Sequence, residues 1–143
     1  MGTLAEVLPT VTAVVGGLAG IIGTSVTFRK QLEEKFSTEL HARRMETYPK
    51  LWGILEGLSI HPPASVSSRV AAQLSEDMKE WYYRDGGFFL STQSRKRYTR
   101  CQELLRQAAS GDESPSEDEI RKEASLLRTE MAGDCSTRKR THL

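Results

Sequence analysis

The polar and apolar positions divide this chain at Phe28. Residues 7–28 form 22 consecutive uncharged positions, VLPTVTAVVGGLAGIIGTSVTF, and charges recur every few residues from Arg29 onward. A helix rises about 1.5 Å per residue, so the run reaches about 33 Å, enough for a hydrocarbon core of about 30 Å. The pattern predicts one transmembrane helix over residues 7–28. Four Thr, one Ser, four Gly and Pro9 dilute its apolar character. Pro9 falls in the first turn, where a missing N–H costs little, and a helical Thr or Ser can bond a carbonyl one turn earlier. Such a helix suits the company of other helices better than lipid alone.

The flanks set its direction. Residues 1–6 contain no Lys or Arg, so they lack the basic start of a cleaved signal peptide. Glu6 stands where N-myristoylation would want Ser or Thr. Arg29, Lys30, Lys35, Arg43 and Arg44 all follow the span, which predicts a short extracytoplasmic amino terminus and a cytoplasmic carboxyl-terminal domain. Within the span, Thr12, Gly16, Gly20 and Thr24 recur every four residues. A ridge of small residues lets two backbones approach, so the expected partners are membrane lipid and either a second copy or another membrane protein.

After the span the apolar period becomes that of amphipathic helices, over a cytoplasmic domain of residues 29–110. Leu32, Phe36 and Leu40 start a stripe that Leu51, Ile54, Leu55 and Leu58 continue, with Pro49 expected to kink or restart the helix. Tyr48 and Trp52 fall on a neighbouring face, open to a second partner. His61-Pro62-Pro63-Ala64-Ser65 is a breaker. A second helix, residues 67–85, follows with Val66, Val70, Leu74, Met78 and Trp81 aligned, and Gly86-Gly87 ends it as a left-handed cap. Phe88-Phe89-Leu90 connects to a third helix, capped by Ser91, that buries Tyr98, Cys101, Leu104, Leu105 and Ala108. Residues 111–132 comprise an acidic turn and a last helix with Ile120, Ala124, Leu127 and Met131 aligned, and residues 133–143 read as a basic flexible tail. No period-two run supports a sheet. The fold class is all-α: one N-terminal transmembrane helix followed by a small antiparallel helical bundle.

Charge sharpens this division. The net charge of +1 hides the fact that all 20 Lys and Arg residues, and 18 of the 19 acids, lie after Phe28. Two cysteines, Cys101 and Cys135, make no disulfide framework, which fits a reducing compartment. There is no Asn, hence no N-glycosylation acceptor.

Candidate chemistry is sparse. On a helical wheel Asp77 falls between Val70, Leu74 and Trp81, while Arg43 and Arg97 border neighbouring apolar faces. An isolated buried carboxylate is costly, so an ion pair of Asp77 with Arg43 or Arg97 is expected, fixing helix register. His41, His61 and His142 have no acid or Cys at metal-ligand spacing. Gly86-Gly87 follows a helix and lacks the Lys-Ser or Lys-Thr of a phosphate loop, and no serine lies in a nucleophile elbow. No catalytic, cofactor or metal residue is assigned, and a non-enzymatic role is expected. Arg95, Lys96, Arg97 and Arg100 cluster around Tyr98, and Arg138-Lys139-Arg140 forms a second basic patch. A solvated helix face is the commoner reading of such patches, with the acidic run Asp112 to Glu119 as an internal partner; between ligands, tethering beside a membrane favours anionic lipid over nucleic acid.

Tyr48-Pro49-x-Leu51-Trp52, Trp81-Tyr82 followed by Gly86 to Ser91, and Leu127-Arg128-Thr129-Glu130 with Asp134 resemble a group of uncharacterised bacterial membrane-anchored helical proteins. The resemblance covers most of the chain after the span and carries no activity. It implies that the last helix docks on the domain and that Trp81, Tyr82, Gly86, Gly87, Phe88 and Phe89 form an interaction surface. The leading expectation is a membrane-tethered interaction or scaffold module, oligomerising through its span. A holin-like membrane-permeabilising protein and a membrane-tethered nucleic-acid or anionic-lipid binder are the alternatives.

Overall fold

A computed structural model describes the backbone of residues 4–59, 65–111 and 115–136, and side chains from Thr27 onward within those ranges. The described residues form four α-helices: α1 (Leu4–Ile54), α2 (Ser68–Trp81), α3 (Thr92–Ala109) and α4 (Glu117–Cys135). A 3-10 turn, Leu55–Leu58, closes α1. A π-helical turn, Tyr82–Gly86, and a 3-10 turn, Gly87–Phe89, lead from α2 to α3. No strand occurs among the described residues.

The chain divides into two compact units, residues 1–39 and 40–143. The first unit is the long amino-terminal part of α1. The side chains of residues 7–26, which make up all but the last two positions of the predicted span and include the Thr12–Gly16–Gly20–Thr24 ridge, lie outside the described residues. Among the described residues no helix is long and apolar enough to cross a membrane. Residues 27–39 are exposed throughout, including Phe28, Leu32 and Phe36. Their stripe is therefore not part of the buried face that Leu51, Leu55 and Leu58 supply.

The second unit is a helical bundle. Its core is built by Tyr48, Leu51, Leu55 and Leu58 from the end of α1 and its turn, by Ala71, Leu74, Met78 and Trp81 from α2, by Tyr98, Cys101, Leu104 and Leu105 from α3, and by Ile120, Ala124, Leu127 and Met131 from α4. Each set recurs at three- and four-residue steps, the spacing of one helix face. Helix starts are set by serines: the hydroxyls of Ser67, Ser91 and Ser116 accept from the amides of Val70, Ser94 and Glu119. Three acids in the first turn of α4 suit the positive end of its dipole.

Three local expectations are corrected. Helix α1 does not restart at Pro49 but continues through it. Proline removes one backbone bond, but burial of Tyr48 and Leu51 on either side holds the segment, and Pro49 itself is exposed. Second, Gly86 (φ −124°) and Gly87 (φ −57°) form no left-handed cap. They are small because of contact: a Cβ on Gly86 would run into the Trp81 indole, and one on Gly87 into the Tyr82 carbonyl and ring. Among the described residues the left-handed glycine is Gly111, at φ 80°, just after α3. Third, α4 extends to Cys135, so Gly133 and Asp134 belong to a helix rather than to a tail.

Candidate functional site

Asp134, near the end of α4, ties together three parts of the bundle. Its Oδ2 accepts from the Tyr48 hydroxyl at 2.8 Å, the Ser94 hydroxyl at 2.7 Å and the Ser91 amide at 3.4 Å. The Tyr48 oxygen is also 2.9 Å from the Phe89 carbonyl, so its single proton is shared between two acceptors. Arg44 closes the group, donating from Nε to the Phe89 carbonyl at 2.8 Å and from Nη1 to the Asp134 carbonyl at 3.3 Å. Burial pushes the Asp134 carboxyl up, but donation by Ser91, Ser94 and Tyr48 and the Arg44 charge outweigh it, leaving it below the ordinary carboxylate value. Burial pushes the Tyr48 phenol up, and the hydrogen bond to Asp134 adds to this. Both groups stay in their ordinary ionisation states at neutral pH. Ser94 is fully buried, so the group serves as a structural clamp.

Polar contacts fasten the other seams. The Trp81 indole donates to the Thr47 carbonyl at 3.0 Å and the Tyr98 hydroxyl to the Met78 carbonyl at 3.0 Å. Gln102 donates to the Ser75 carbonyl at 2.9 Å and accepts from its hydroxyl at 2.7 Å. Arg128 donates to the Leu55 carbonyl at 3.0 Å, and Arg121 donates to that of Ser59, which fixes α4 to the turn after α1. Among the described residues, no buried side-chain nitrogen or oxygen lacks a partner.

Beside the clamp lies a groove of about 290 Å³, lined by Arg44, Met45, Tyr48, Pro49, Trp52, Met131, Ala132 and Cys135. Met45 is 55% exposed and Trp52 46%, so two large apolar side chains of α1 stand open beside the end of α4. Periodicity suggested an outward role for Trp52; nothing in it paired that residue with Met131 and Cys135, 79 and 83 positions away.

The aromatic segment between α2 and α3 is mostly interior. Trp81, Gly86 and Gly87 are buried, and Tyr82 and Phe89 are half-buried against the core. Tyr82 stacks on Tyr98 with ring centroids 4.9 Å apart, and Trp81 lies between Tyr48 and Tyr98 at 6.5 and 6.2 Å. Of the six residues expected to form an interaction surface, Phe88 alone is exposed, at 95%.

The expected ion pair is absent. Asp77 is half-buried and accepts from Gln73 at 2.8 Å, while Arg43 pairs with Glu46 and Arg97 with Glu123, each at 3.2 Å. Asp77 lies one residue before the buried Met78, near enough the helix flank to reach its own i−4 neighbour, so no distant cation is required. Among the described residues no group of His, Cys, Asp or Glu comes together as a metal site. His61, His142 and the Arg138-Lys139-Arg140 patch lie outside the described residues.

None of the family models, curated proteins or solved structures compared with the chain matches it.

Proposed function

We propose that the chain is a membrane-tethered, non-enzymatic interaction module. Residues 7–28 serve as the anchor, with the amino terminus outside, and the helical bundle meets a cytoplasmic partner. The observation that carries the docking role is the groove where Met45 and Trp52 stand open beside Met131 and Cys135. Large apolar side chains beside a shallow channel suit the apolar face of an amphipathic helix. Arg44 at the same rim would meet an acidic residue of that helix. The resemblance to bacterial membrane-anchored helical proteins fits this role.

The exposed row Phe28, Leu32 and Phe36 supports self-association of the long helix as a second element, in keeping with the small-residue ridge of the span.

The test of docking is a photocrosslinking amino acid placed at Trp52 or, as a control, at exposed Thr99. In native membranes the Trp52 position is expected to give one discrete adduct that Met45→Glu abolishes. Identical adducts from both positions, or none from Trp52, would remove the groove as a docking surface.

A further inference from the structure

Phe88 is the most exposed large hydrophobic residue described, yet its backbone is held on both sides. Arg95 donates to the Gly87 carbonyl at 3.2 Å, and Arg44 and Tyr48 donate to the Phe89 carbonyl at 2.8 and 2.9 Å. Three side chains therefore fasten the carbonyls that bracket a ring kept in water. Exposing a phenyl ring gives up roughly 1.5–3 kcal/mol of available burial. A turn this well fastened presents the ring without the ordering cost that a loose loop would bring to a contact.

The segment that follows Asp85 carries cations alone. From Gly86 to Gln102 there is no Asp or Glu, and the segment carries Arg95, Lys96, Arg97 and Arg100. Arg97 is neutralised by Glu123, and Arg100 by Glu103 and Glu119. Arg95 and Lys96 are exposed and have no carboxylate within ion-pair distance among the described residues. Three acids near the turn are already engaged: Asp85 with Lys50 at 2.6 Å, Glu80 with Arg84, and Asp134 inside its clamp.

We propose that Phe88, with Arg95 and Lys96, forms a contact surface for anionic lipid, the ring entering the headgroup boundary while the two cations meet phosphate. An apolar projection beside unneutralised cations is the complement of a negatively charged bilayer interface. A protein pocket would also take the ring, but the excess positive charge favours a surface of dense negative charge. None of the three residues lines the groove, and a tethered or an untethered chain would carry the surface alike.

The experiment is hydrogen–deuterium exchange of the full chain in nanodiscs of phosphatidylcholine, with and without phosphatidylglycerol. The amides of residues 87–93 are expected to exchange about thirtyfold more slowly on the anionic discs, the factor for two cations at about 1 kcal/mol each. Phe88→Ser and Lys96→Glu each remove most of the slowing and leave exchange in the core of α3 unchanged, because neither side chain holds the fold. Equal exchange on both compositions, or slowing that survives both substitutions, overturns the proposal. So does slowing produced by a single-stranded oligonucleotide on neutral discs but not by anionic lipid, which would identify a nucleic-acid surface. Flotation of the same samples reports the anchor separately: a chain that leaves neutral discs has no span, whatever the exchange shows.

Discussion

The Tyr48 hydroxyl donates to the Asp134 carboxylate at 2.8 Å across 86 positions of sequence, joining the last buried turns of α1 to the end of α4. Ser94 and Ser91 bring the start of α3 to the same oxygen. One carboxylate thereby fixes how three helices meet, and Arg44 donates to the backbone carbonyls of Phe89 and Asp134 beside it.

Removing that carboxylate strands the Ser94 hydroxyl and the Ser91 amide and leaves the Tyr48 hydroxyl with the Phe89 carbonyl alone. Asp134→Ala is expected to destabilise the bundle by about 2–4 kcal/mol, since unpaired buried donors cost more than a hydrogen bond contributes. Asp134→Asn keeps an acceptor and loses about half as much. The urea midpoint of the second unit's unfolding is the measurement.

The same group fixes a pH dependence. The folded Asp134 carboxyl titrates below its unfolded value of 3.8. The unfolded chain therefore takes up the proton first, and the stabilisation is complete above that value and lost as pH falls toward the folded one. Glu117, lowered by hydrogen bonds from the Val66 amide, acts in the same direction. Tyr48 is raised above its unfolded value of 10.0, and burial likewise pushes Tyr98 up to about 12. Their contribution is complete below pH 10 and lost above it. Melting temperature against pH should hold a plateau between these limbs, and Asp134→Asn should flatten the acid one.

Two glycines separate contact from propensity. Gly86→Ala drives a methyl group into the Trp81 indole and should cost about 1–3 kcal/mol or more. Gly53→Ala, on an exposed stretch of α1 with nothing within 4 Å, should stabilise by about 0.5–1 kcal/mol. Opposite signs in thermal melts check the assignment of Gly86 to packing.

Most of the bundle was legible in the sequence. The stripes of α2, α3 and α4 gave their buried faces, and Ser91 marked the start of α3, because both signals are local. Val70 shows the limit of such stripes: it shares a period with Leu74 but stays exposed, and Ala71 takes the buried place. The departures need tertiary information. Proline interrupts a helix only when packing does not hold both sides of it, as Tyr48 and Leu51 do for Pro49. Gly86-Gly87 looked like a turn because two glycines are cheap at positive φ, yet the contact that excludes a side chain comes from Trp81, five positions away. Asp134 fell in a stretch with no apolar period, and no spacing rule links it to Tyr48 or Ser94. The groove was half legible: Trp52 was placed outward, but its neighbours Met131 and Cys135 come from the other end of the domain.

The tether on which the proposed role depends is tested most directly by alkaline carbonate extraction of membranes from cells producing the full chain. Retention in the membrane pellet, with the carboxyl-terminal domain cleaved by added protease only after the cells are opened, is the predicted result. Release of the chain into the carbonate supernatant would contradict the anchor at residues 7–28 and the interaction role built on it.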